Sequence, residues 1–263
     1  MTTIGTVESL WRYPVKSMGG EQVAEAFMGF SGFYGDRCYA FKNSNARKGT
    51  PYLTATLQQQ MLRYRPQFRY PEQAALPPNL AEAMSIEPGI TPANGEPQDM
   101  LLDVVTPTGA VLPVDDPALV VMLGEGIDEK NRLTLVHSDR ALTDCRPVSL
   151  IGLQTIRQVA AESGILLDKR RFRANIYLDL ASDQGFAEDK FVGRKLRIGS
   201  NAVIMVLERD PRCKMISLDP ETGEHDPAIL RRVAQGHDAL AGVYCAVLVE
   251  GVLARGDSIE LVD

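Results

Sequence analysis

Short runs of valine, isoleucine, threonine, tyrosine and phenylalanine, each cut off by glycine or proline, recur toward both ends of this 263-residue chain. Such runs form strands, and 22 glycines and 16 prolines supply the turns between them. Few stretches are left for helices, so the expectation is a mostly β, barrel-like fold with a few helices. Residues 4–13, 22–27 and 37–41 read as three neighbouring strands of a meander. In the second half, 132–136, 175–178, 195–198, 202–207, 243–249 and 258–262 read the same way.

Between 65 and 108 the prolines accumulate (Pro66, Pro71, Pro77, Pro78, Pro88, Pro92, Pro97, Pro107) and periodicity fades, apart from one more strand at 100–105. This stretch reads as a connector with little chemistry. Three helices announce themselves. Asp116 before Pro117 caps a helix over 118–123, which Gly124 stops. Ser149 leads into Leu150, Leu153, Ile156 and Ala160, one stripe at helical spacing that Gly164 stops. Asp226 before Pro227 opens a third, with Ile229, Leu230 and Val233 buried and Gly236 at its end. The length suits two intimately joined units, and the boundary is expected near 110–120: an N-terminal β-barrel-like unit at 1–115, packed on a second barrel at 116–263.

With 28 Lys and Arg against 34 Asp and Glu the net charge is −6, which argues against a nucleic-acid partner but leaves room for a local anion pocket. No run of 18 apolar residues and no leader-like start at 1–11 is present, so the expectation is a cytoplasmic protein with no membrane partner. Cys38, Cys145, Cys213 and Cys245 are widely spaced, with no CxxC, and His137, His225 and His237 each stand alone, so neither a zinc ribbon nor a histidine-held metal is encoded.

Chemistry concentrates in three clusters. Cys213 follows the apolar strand 203–207, where catalytic groups are often mounted, and lies between Arg212 and Lys214, cations that favour a thiolate. A small buried hydrophobe is the competing reading, and the expected one for Cys38 and Cys245. Cys145 sits in the polar turn Thr143-Asp144-Cys145-Arg146-Pro147 and could line a pocket. In Tyr13-Pro14-Val15-Lys16-Ser17-Met18-Gly19-Gly20, backbone N–H groups and the Lys16 ammonium could converge on an anion, although the order is not that of a Walker loop. In 170–176 the alternation reads as the start of a strand, with Arg171 and Arg173 on one face: a phosphate clamp or a solvated edge.

Together Tyr13-Pro14-Val15-Lys16-Ser17, Phe172-Arg173-Ala174-Asn175, Arg212-Cys213 with Asp219-Pro220-Glu221-Thr222-Gly223, and Gly256-Asp257 resemble the MOSC family, the molybdenum cofactor sulfurase C-terminal domain, preceded by that family's N-terminal β-barrel domain. Their order is similar to that in the mitochondrial amidoxime-reducing component and its bacterial relatives. The resemblance implies a molybdenum cofactor site. Cys213 aligns with the metal's thiolate ligand, Lys16 and Arg173 with the residues on the cofactor phosphate, and Asn175 with a polar neighbour of the pterin. Arg212 aligns with the residue beside the metal thiolate, Asp144 and Cys145 with a loop lining the same pocket before a helix, and Tyr244 with an aromatic near the cofactor. Many relatives carry Thr-Ala-Arg where this chain has Thr54-Ala55-Thr56, so one implied phosphate-binding arginine is missing.

The activity implied is reduction of small N-oxygenated substrates, N-hydroxylated bases or amidoximes, with Cys213 catalytic and electrons from a separate donor protein, a reductase or ferredoxin-like. A carrier that passes sulfur or the cofactor onward from Cys213 is the alternative, and a scaffold with vestigial anion sites a third.

Overall fold

The computed structural model describes residues 2–47, 49–86, 93, 95 and 97–262. The first part of the chain forms β1 (Thr2–Arg12), β2 (Glu21–Val23), β3 (Glu25–Gly29), β4 (Gly32–Phe33), β5 (Tyr39–Asn43) and β6 (Arg65–Phe68). There follow α1 (Leu80–Ile86), β7 (Leu102–Val105), β8 (Val111–Pro113), α2 (Pro117–Gly124) and β9 (Leu133–His137). The rest supplies β10 (Val148–Gly152), α3 (Leu153–Ser163), β11 (Ile176–Leu180), β12 (Lys195–Ile198) and β13 (Ala202–Pro211), then α4 (Pro227–His237), β14 (Leu240–Val249), β15 (Gly251–Ala254) and β16 (Ser258–Val262).

Seven strands close into a barrel in the order β11-β10-β14-β13-β12-β16-β1, the ring being completed by β1 on β11. Only β10 and β11 run parallel; the other pairs are antiparallel. Its interior is apolar, with Leu10, Leu150, Ile176, Leu178, Ile198, Ile204 and Cys245 wholly buried. The closing strand comes from the far end of the chain: β1 pairs with β11 and β16, both beyond the expected division at 115/116. Gly5 permits this, since a Cβ there would stand 2.4 Å from the Asp179 carbonyl oxygen across the seam. A second core is built on Val15, Phe41, Leu53, Met61 and Leu102 together with Leu119 and Leu123 of α2, residues from both sides of position 115.

The proline-rich stretch holds more structure than a connector, namely α1 and the sheet β6-β7-β8. Pro66 and Pro113 sit on its two edge strands, where a missing N–H costs little. Pro88 and Pro92 lie outside the described residues. The strand read at 22–27 breaks at Ala24 into β2 and β3, which pair with different partners, β1 and β15.

Two aspartates cap helices as their positions predict, Asp116 accepting from the Ala118 N–H at 2.8 Å and Asp226 from that of Ala228 at 2.9 Å. The second helix is a correction. Leu150 belongs to β10, and α3 starts only at Leu153, ending as expected at left-handed Gly164. Every residue of β10 is buried, and a strand covered on both faces carries an apolar run that spacing alone does not separate from a helix. The Asp144–Cys145 loop therefore precedes a strand. Helix α4 also runs through Gly236 to His237, closed by Asp238 in the left-handed region.

Helices α3 and α4 are tied by Glu162, which accepts from Gln158 at 2.8 Å and Arg232 at 3.1 Å and pairs with His237 at 2.8 Å. Burial pushes this carboxyl up, but the three hydrogen bonds outweigh it and hold it at about 2. A depressed carboxylate stabilises the fold above its unfolded value near 4.5, and that contribution is lost as pH falls through about 2. In acid titrations followed by circular dichroism, Glu162→Gln is expected to remove this part of the stability loss; an unchanged acid limb would refute it.

Candidate functional site

One cavity of about 1010 Å³ is lined by residues from 16–57 and from 128–244. All eight candidates, Lys16, Asp144, Cys145, Arg173, Asn175, Arg212, Cys213 and Tyr244, line it. They arrive from the turn after β1, the loop before β10, the turn before β11, the chain beyond β13, and β14 itself. In a chain of net charge −6 its wall carries eight lysines and arginines against three aspartates.

Cys213 lies two residues past the end of β13 with its side chain exposed, capping a short 3-10 turn over Lys214–Ser217. Both flanking cations hydrogen-bond elsewhere, and of the two only Arg212 is matched by a carboxylate among the described residues. Arg212 donates to the carbonyls of Ala241 (2.7 Å) and Phe172 (2.9 Å) and pairs with Asp210 at 2.7 Å, while Lys214 donates to the Thr56 carbonyl at 3.2 Å. Cys145 is the other exposed thiol, and burial, with Glu208 nearby at 3.9 Å, pushes it up. Cys38 and Cys245 are core residues, Cys38 being pushed up to about 12 by burial. Cys245→Ser would bury a hydroxyl in the apolar barrel, so a loss of about 1–3 kcal/mol, a drop of several degrees in melting temperature, is expected. A cofactor content that fell as far as the stability would contradict this purely structural role.

Arg173 is not on a strand. It closes a 3-10 turn over Lys169–Phe172 with φ 52°, so neither it nor Arg171 sits in the strand alternation the sequence implied. Both line the cavity, but Arg171 pairs with Asp219 at 2.8 Å. The Arg173 guanidinium lies 4.2 Å over the Tyr13 ring and gives one hydrogen bond, from Nη1 to the Met18 carbonyl at 2.7 Å. Its Nη2 has no hydrogen-bond partner among the described residues, and burial, with Arg37 alongside, pulls the group down to about 10. Lys16, 4% exposed, pairs with Asp144 at 2.7 Å and donates to the Leu142 carbonyl at 2.8 Å; burial lowers it and Asp144 restores part of that shift.

Other candidates are committed within the protein. Asn175 donates to the Trp11 carbonyl and Asp36 and accepts from the N–H and hydroxyl of Ser149, which uses its whole amide. Burial and the Asp210 carboxylate push the Tyr244 hydroxyl up. The glycines after Lys16 form no anion nest: Gly19 N–H donates to the Tyr64 carbonyl at 2.9 Å, and a Cβ on Gly20 would meet the Tyr13 ring at 2.4 Å. They let the chain pass that ring. Sequence reasoning missed Arg37, Arg47, Tyr52 and Asp210 in the wall. Arg37, at φ 47°, donates to the Arg173 carbonyl at 3.2 Å, a contact between residues 136 apart that no local pattern announces.

Among the described residues no three His, Cys, Asp or Glu side chains gather as a metal site. The cavity offers one exposed thiol at Cys213, cations, and the orphaned Arg173 Nη2. That donor set suits a metal that arrives already held in an anionic organic chelate, and not a bare ion. A molybdenum–pterin cofactor fits it.

The MOSC N-terminal beta barrel domain matches residues 4–111 and the MOSC domain residues 137–260. A search of curated protein sequences gives no match. Among solved structures, the YUAD protein from Bacillus subtilis is similar at 13% identity and TM-score 0.47, covering 98% of this chain and 94% of that one. YiiM from Geobacillus stearothermophilus (20%, TM-score 0.36) and YiiM from Escherichia coli (19%, TM-score 0.34) each cover 45% of this chain and 55% of theirs. No helix among the described residues is long and apolar enough to cross a membrane. With both models spanning most of its length, the chain belongs to the MOSC domain family, a family associated with the molybdenum cofactor, and carries that family's N-terminal β-barrel domain.

Proposed function

We propose that the cavity binds molybdenum cofactor through Cys213 and that the holoprotein reduces N-hydroxylated compounds or amidoximes with electrons from a separate donor protein. The observation that carries this reading is an exposed thiol sharing one cavity with a guanidinium whose Nη2 has no partner among the described residues. An anion entering the cavity relieves that unsatisfied donor, whose isolation costs about 1–3 kcal/mol. When bound, the cofactor supplies a redox metal able to deliver two electrons to an N–O bond. The protein does the rest. Cys213 would ligate the metal and Arg173 and Lys16 would hold the phosphate, while Arg37, donating to the Arg173 carbonyl, braces the turn that carries Arg173. Asn175 locks the floor by joining β1, β10 and Asp36, and the Tyr244 hydroxyl stays protonated at the wall. Overall, R–NH–OH with two electrons and two protons becomes R–NH2 and water.

Four unpaired thiols fit a reducing compartment, and we place the protein in the cytoplasm, with 1–115 and 116–263 as its two units and no nucleic-acid partner. Anaerobic assays of metal-loaded protein, with a chemical reductant in place of the donor, are expected to convert an amidoxime or an N-hydroxylated base to the amine-level product. Inactivity across several such substrates, with sulfane sulfur found on Cys213, would replace this reading with the carrier.

A further inference from the structure

We propose that Lys214 is the cation that joins Arg173 in neutralising the cofactor phosphate, an assignment that rests on the cofactor reading above. A phosphate monoester carries about −1.5 to −2 near pH 7, so its site needs close to two uncancelled positive charges. The charge pairing along the wall shows which cations have charge to give. Five are already matched: Lys16 with Asp144, Arg37 with Asp36, Arg146 with Glu208, Arg171 with Asp219 and Arg212 with Asp210. Among the described residues, the lining cations without a carboxylate are Arg47, Arg173 and Lys214. Arg47 is exposed on a loop, where solvent and salt screen it.

Lys214 is half-buried and directly follows Cys213. Its ammonium donates to the Thr56 carbonyl at 3.2 Å and, with the Gln59 amide in the orientation that satisfies both its atoms, to the Gln59 oxygen at 2.9 Å. Both acceptors are neutral, so they hold the charge in place without cancelling it. An ammonium has three N–H donors, and the third is left for a ligand. The contact falls on Thr56, the position at which the family resemblance implies an arginine. The Thr56 hydroxyl is itself occupied by that of Thr54 at 2.7 Å. This chain returns the missing charge to the same wall from position 214. Lys16 still offers a hydrogen bond, but its charge is spent on Asp144.

The test compares protein purified from a host that makes the cofactor. Lys214→Met keeps the apolar stem and removes the charge. It is expected to weaken cofactor retention on dialysis about 10- to 150-fold, the range for one charge-assisted hydrogen bond, and Lys16→Met to weaken it less. The double variant Lys214→Met, Thr56→Arg is expected to recover retention. A lysine that only staples two loops would lose melting temperature and show no such rescue. The second readout uses cofactor-free protein, with inorganic phosphate titrated by calorimetry: binding is expected to fall with Lys214→Met and return with Thr56→Arg. Full retention and unchanged phosphate binding in Lys214→Met overturn the proposal. If wild type carries no molybdenum at all, the cofactor reading fails, and the phosphate titration alone decides whether Lys214 serves a dianion.

Discussion

Cys213→Ser is expected to fold as wild type does and to lose reduction of N-oxygenated substrates to background. The side chain is exposed and belongs to no core, so its change should stay within about 0.5 kcal/mol of wild-type stability. A serine hydroxyl does not replace a thiolate on a soft metal, because it is neither ionised near neutral pH nor polarisable. The matching change at Cys145, also exposed in the cavity, is the control: turnover should persist there. Undiminished activity of Cys213→Ser in metal-loaded protein would remove Cys213 from the account.

The second large effect is expected at Arg173. Arg173→Ala removes a guanidinium with no carboxylate partner among the described residues, so its charge is available to the ligand in full. Retention of cofactor should fall about 10- to 150-fold, and Lys16→Ala combined with it should be severe. The substitution also removes the stack on Tyr13 and the hydrogen bond to the Met18 carbonyl, so stability must be measured in parallel. Arg173→Lys keeps a charge but not the planar fork, and should recover only part of the retention. A double variant that holds full molybdenum after dialysis would show that the phosphate sits elsewhere.

Much of the barrel was legible because half-buried strands alternate: 195–198, 202–207 and 258–262 fall inside β12, β13 and β16. β10 was not, because burial on both faces erases alternation. Nor was the role of β1, whose partners β11 and β16 both lie in the last third of the chain. At the site, the charged clusters together with the family resemblance named eight side chains that share one cavity. What each does within it depended on long-range partners. Glycines that looked suited to an anion nest make room for Tyr13, Arg212 beside the thiol is spent on Asp210 and two carbonyls, and Lys214 reaches a carbonyl 158 residues away. Local pattern carries residue identity; hydrogen-bond commitment is a tertiary property.

Whether this cavity holds molybdenum cofactor on the Cys213 thiolate is decided by metal and pterin analysis of wild type and Cys213→Ser, purified side by side from a cofactor-making host. Near-stoichiometric molybdenum and pterin are expected in wild type, and metal lost from, or no longer thiolate-bound to, the Cys213→Ser protein by X-ray absorption. Wild type without molybdenum, or a metal environment identical in both proteins, would contradict that binding.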